Sequence, residues 1–119
     1  MNLSFREEPP FSREREHLFG NDKSFALFQS ELSEHPQSMP VIPGTGKARK
    51  IRWGHPRRGK GKRGGIRIIY AYYEKYETIL LLFGYDKNIP DLTPAQKKGI
   101  AQTITEFEQQ LEEEFLPNS

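Results

Sequence analysis

Cysteine is absent from all 119 residues. That excludes disulfides, thiolate metal sites and a cysteine nucleophile, and leaves no sign of an oxidising compartment. Histidine is scarce: His17, His35 and His55 stand far apart without ligand spacing, so no metal or other cofactor is expected. No apolar run approaches the roughly 20 residues that span a bilayer. The opening MNLSFREEPPFSRERE carries charges and prolines where a signal peptide needs an unbroken apolar core. The expectation is a cytoplasmic protein that is not membrane-bound, built as one domain over residues 1–119.

The absence with most content concerns one sign of charge. No Asp or Glu occurs between Glu34 and Glu74, and ten of the chain's 18 Lys and Arg residues lie between Lys47 and Arg67. The flanks are different. Residues 1–34 hold seven acids against four bases, and the C-terminal end is acidic around Glu112, Glu113 and Glu114. A net charge of +2 therefore conceals a dense basic segment, the electrostatic footprint expected for a polyanion partner.

Periodicity then places the elements. NLSFREE fits a short strand that Pro9 and Pro10 break. FSREREHLFG puts Phe11, Arg15, Leu18 and Phe19 on one helical face, with Gly20 as its stop. NDKSFALFQSELSEHP offers Asn21 or Asp22 as a cap and Phe25, Phe28 and Leu32 as a buried stripe ending before Pro36. KARKIRW alternates small or apolar residues with basic ones, as a partly exposed strand does. IRIIYAYY and TILLLFGY, joined by EKYE, read as an antiparallel hairpin. In DLTPAQ, Thr93 suits an N-cap, with Pro94 at the first helical position and Gln96 three after the cap. Ile100, Ile104, Phe107, Leu111 and Phe115 follow as one long helical stripe. The order β-α-α-β-β-β-α predicts an α+β fold: two N-terminal helices and one C-terminal helix against one face of a small, mostly antiparallel sheet.

Two familiar phosphate-binding patterns match in the glycine-rich stretch and both are rejected. Gly54 to Lys60 fits G-x-x-x-x-G-K, but Gly61 stands where Ser or Thr is required. Gly59 to Gly64 fits G-x-G-x-x-G. Each motif depends on a helix N-terminus following it, and here IRIIYAYY is a strand. The stretch reads instead as a basic hairpin loop.

In a strand, alternate side chains share a face, so Lys50 and Arg52 point together, away from Ile51. Arg67 opens an apolar strand, where it either covers core residues at a sheet edge or joins an outward cationic cluster. Such a cluster suits RNA cleavage without a metal. The substrate's own 2′-OH attacks the adjacent phosphate, and cations stabilise the crowded anionic phosphorane. Trp53, Tyr70, Tyr72 and Tyr85 are the aromatics placed to stack on an unpaired base, although the same strands need most of them for a core.

IPGTGKARKIRW, GKGKRGGIRIIYAYY, ILLLFGYDKN and DLTPAQ together resemble the RelE superfamily of bacterial toxins, in its HigB-like branch, over about residues 20–110. The resemblance implies a small RelE-like α+β domain and a type II toxin–antitoxin toxin: a ribosome-dependent mRNA endonuclease that cuts in the A site and inhibits translation. It implies a cognate antitoxin with a helix-turn-helix domain, operator DNA reached only through that antitoxin, and mRNA and ribosome as further partners. Lys50 and Arg52 match the paired basic residues of the family's catalytic strand, and Arg67 matches the arginine that contacts the scissile phosphate. In FGYDKN, Lys87 or Tyr85 takes the further polar role. Lys47, Arg49, Trp53, Arg57, Arg58, Lys60, Lys62 and Arg63 are the expected RNA-binding residues around them. IPDLTPAQ lacks the base-stacking aromatic of RelE, which leaves acid and base roles to Tyr85 or His55. The alternatives are a non-catalytic RNA- or ribosome-binding domain and an inactive relative that only binds its antitoxin.

Overall fold

The prolines expected to break the first strand also start the first helix. In the computed structural model, which describes residues 2–54, 65–86 and 91–116, β1 (Ser4–Glu7) leads into α1 (Pro9–Phe19) with proline at its first two positions. There a missing N–H costs nothing and φ is already set for helix. Gly20 closes α1 at φ 82°, a conformation that favours glycine. α2 (Asp22–Glu34) starts at Asn21, whose side chain accepts a 2.8 Å hydrogen bond from the Ser24 N–H. The expected sheet follows as β2 (Ala48–Trp53), β3 (Ile66–Tyr73) and β4 (Thr78–Asp86). EKYE forms a single 3₁₀ turn, Glu74–Tyr76, closed by Glu77 at φ 47°. α3 (Pro94–Glu114) begins in a complete capping box: the Gln96 N–H donates to Thr93 Oγ1 and the Thr93 N–H to Gln96 Oε1. Phe115 falls outside the buried stripe; it is 58% exposed and packs its ring against Tyr76 instead.

The sheet order is β1-β4-β3-β2, antiparallel except for the parallel β1–β4 pair. The fold is α+β, as expected, with one correction. The helices do not share a face. α1 and α2 bury Phe11, Leu18, Phe19, Phe25 and Phe28 against Ile66, Ile68, Tyr70, Ile79 and Leu81 on one side. α3 buries Ile100, Ile104, Phe107 and Leu111 against Ile69, Ala71, Tyr73, Leu80 and Leu82 on the other. This explains why IRIIYAYY is apolar at consecutive positions: a strand covered on both faces has no solvent side to keep polar. Two tyrosine hydroxyls tie the layers together. Tyr70 donates to the Pro36 carbonyl (2.9 Å) and Tyr73 to the Ile104 carbonyl of α3 (3.2 Å). Burial pushes the Tyr70 phenol up to about 12, so it stays a neutral donor. At the far end of α3, Arg6 of β1 grips Glu114 with two hydrogen bonds of 2.7 and 2.6 Å.

One irregularity sets the geometry of the site. Along β3 and β4, Ile69 pairs with Phe83 but Tyr70 pairs with Leu81, which leaves Leu82 as the extra residue of a β-bulge. Leu82 and Phe83 consequently both lie on the α3 side. Beyond the bulge the alternation is inverted: Gly84 turns toward α1 and Tyr85 toward α3. Gly84 lies where a Cβ would come within 2.6 Å of Leu18 Cδ1 and 2.7 Å of Ile68 Cδ1, both in the packed core. Gly84→Ala is expected to destabilise the fold by about 1–3 kcal/mol through overpacking. Urea unfolding checks this, and wild-type stability in the variant would contradict the close approach of α1.

Candidate functional site

The site is built on the α3 face of the sheet, beyond the N-terminal end of α3. Ala48 packs into the α3-side core and Ile51 into the opposite one, so Lys50 and Arg52 point to the α3 side of β2. Arg67, between Ile66 and Ile68 of the α1–α2 core, points the same way from β3. The register puts Arg52 directly opposite Arg67, and Arg67 directly opposite Tyr85. A continuous row Arg52–Arg67–Tyr85 therefore crosses three strands, with Lys50 two residues further along the same face. Such neighbours have Cβ atoms about 4.5–5.5 Å apart. Arg67 is half-buried on an internal strand and donates to its neighbour Ile66's carbonyl at 3.3 Å, so it is not an edge residue.

Tyr85 is half-buried and stacks on Phe83, centroids 5.8 Å apart. Burial and the Asp91 carboxylate raise its pKa above the ordinary phenol value, against an opposing pull from Arg67. The hydroxyl therefore keeps its proton throughout the physiological range. Lys50 Nζ lies 3.3 Å from Asp91 Oδ1, just ahead of the α3 cap. A cleft of about 160 Å³ opens there between Ile42, Lys50, Tyr85, Asp91, Leu92 and Lys97. The loop before β2 forms its other wall. Thr45 is buried there, donating to the Ile42 carbonyl at 2.7 Å and accepting from the Ala48 N–H at 3.2 Å. Gly44 and Gly46 flank it at φ 86°, which explains the GTG of the sequence. What the arrangement offers chemically is a cationic shelf for a phosphate group with a neutral phenol at one end.

Other residues expected at the RNA lie elsewhere. Trp53 turns to the α2 side, 8% exposed, its ring nearly perpendicular to that of Phe28 with centroids 5.2 Å apart, so it packs into the α1–α2 core away from the Lys50–Arg52 face. Arg49 also points to that side and hydrogen-bonds the backbone carbonyls of Gln37 and Met39, holding the loop after α2. Tyr70 is fully buried, and Tyr72 packs against the α1–α2 core. Lys47 sits over the Tyr73 ring, 4.6 Å from its centroid, and 3.9 Å from Glu108. Glu108 is about 20 Å along α3 from its first turn. His55, Arg57, Arg58, Lys60, Lys62, Arg63 and Lys87 lie outside the described residues, as do both glycine-rich patterns beyond Gly54. Asp91 is a site residue that sequence reading misses, because its partner Lys50 is 41 positions away and nothing local in DLTPAQ points to it. Among the described residues no three His, Asp or Glu side chains gather to hold a metal, and no helix is long and apolar enough to cross a membrane.

No family model matches the chain. Among solved structures, the crystal structure of the isolated E. coli RelE toxin is similar to it, with a TM-score of 0.49 and 11% sequence identity, over 86% of this chain and 99% of that one.

Directly opposed like charges destabilise a sheet pair. Arg52→Gln is expected to stabilise the protein by a few tenths to about 1 kcal/mol, a gain that shrinks in high salt as screening weakens the repulsion it removes. Thermal unfolding at two ionic strengths tests this. A loss of stability would mean that Arg52 serves the fold rather than a ligand.

Proposed function

We propose that this chain is the toxin of a type II toxin–antitoxin pair, acting as a ribosome-dependent mRNA endonuclease. The observation that carries the reading is the row Arg52–Arg67–Tyr85 with Lys50 beside it on one sheet face. The quoted sequence segments that resemble HigB-like toxins supply these same residues. In the proposed reaction the 2′-OH of the substrate loses its proton to a solvent water as it attacks the adjacent phosphorus, and the bond from phosphorus to the 5′-oxygen breaks. The products are a 2′,3′-cyclic phosphate and a 5′-hydroxyl. Arg67 and Arg52 hold the non-bridging oxygens through charge-assisted hydrogen bonds that strengthen as negative charge builds in the phosphorane. Lys50 adds a third cation at the same oxygens. Tyr85, kept neutral by its surroundings, gives its proton to the departing 5′-oxygen. An antitoxin that covers this shelf, or displaces its cations, would silence it.

Induced expression of the wild type in a bacterial host without antitoxin is expected to arrest growth and leave cuts within translated messages. The purified protein should leave the same RNA intact when no ribosome is present. Arg67→Ala should lower cleavage by about 100-fold or more while remaining folded. Mapping transcript 5′ ends in both strains reads the outcome. Normal growth and intact transcripts from a folded wild type would contradict the enzyme reading and favour a binding domain.

A further inference from the structure

Asp91, paired with Lys50, is the feature of the site that the proposed chemistry does not use. A carboxylate on a shelf meant for phosphate is out of place electrostatically. Among the described residues lining the cleft, Asp91 is the one carboxylate, facing Lys50, Tyr85 and Lys97. It does not serve the core, since its side chain is 89% exposed. Nor does it cap α3, because Thr93 and Gln96 form that cap between themselves. What it contacts is the ammonium of Lys50, 3.3 Å away. A carboxylate and a phosphate present the same kind of anionic oxygen to a lysine.

We propose that Asp91 is a specificity-determining residue that occupies, in the RNA-free protein, the anion position at Lys50 which an RNA phosphate takes over on binding. This rests on the RNA reading above. Lys50 is thereby held over the cleft before substrate arrives. A ligand that reaches Lys50 alone must displace Asp91 for little gain, whereas one engaging Arg52 and Arg67 as well offsets the displacement. The device discriminates against isolated anions in favour of a strand lying along the row.

The test is Asp91→Asn in the full chain, with a fluorescently labelled single-stranded RNA oligonucleotide as probe and anisotropy as readout. Exposed ion pairs are worth only a few-fold in an equilibrium constant. The variant should therefore bind RNA about three- to five-fold more tightly. Its log affinity should also fall more steeply with log salt, by about 0.7, because Lys50 now releases a counterion of its own on meeting RNA. In a Lys50→Gln background the same Asp91 change should have no effect. Equal or weaker binding by Asp91→Asn overturns the proposal while leaving the RNA reading intact. An equal gain in the Lys50→Gln background overturns it too, since the effect would then be one of net charge. If neither wild type nor Asp91→Asn binds RNA, the RNA reading fails and the proposal fails with it.

Discussion

The one extra residue in β4 determines which face the site has. Without the bulge at Leu82, simple alternation from Leu81 onward would send Tyr85 into the α1–α2 side and Gly84 toward α3. With it, Tyr85 joins Arg67 and Arg52 on the α3 side, and a glycine lies under Leu18 where α1 needs close approach. Bulges commonly re-aim a side chain in this way. Fold and site are coupled here, because the same inversion lets the helix pack and completes the row.

The described cations of the basic segment divide into two sets with different surroundings. Arg49 and Lys47 are drawn into the structure, one by carbonyls of the loop after α2, the other by the Tyr73 ring and Glu108. Lys50, Arg52 and Arg67 stand on one face, where two arginines oppose each other across a strand pair. A sheet selected for stability alone would not place them so. The acid-free interval from 35 to 73 spans β2 and β3, so no carboxylate of either strand shares the face of Lys50, Arg52 and Arg67. Asp91 comes from outside that interval, reaching the shelf from the start of α3.

Much of this was legible in the sequence. Helix stops, caps and stripes depend on neighbours within a turn, so Gly20, a cap at Asn21 or Asp22, the Thr93–Gln96 box and the Ile100–Leu111 stripe could be placed from local chemistry. The shared direction of Lys50 and Arg52 followed from strand alternation. What could not be read was long-range. The sequence has no marker for the register shift at Leu82, and alternation counted without it gives the wrong face for Tyr85. The distribution of helices over both faces did leave a signal, the run IIYAYY that follows Arg67 without a charged residue, which a one-sided sheet would not require. Trp53 and Arg49 emerge on the α2 side, which sequence alone did not show because aromatic and basic side chains suit RNA and a protein interior equally well. Only the face on which each emerges separates the two roles.

The claim on which the rest turns is that a polyanion meets the α3 face of the sheet and not the α2 face. An NMR titration of the full chain with single-stranded RNA, following the arginine Nε–H signals and the tyrosine rings, tests it most directly. The account predicts that Arg52, Arg67 and Tyr85 shift together with one binding curve while Arg49 stays still. Shifts centred on Arg49 and the α2 side, with Arg67 and Tyr85 unmoved, would contradict it.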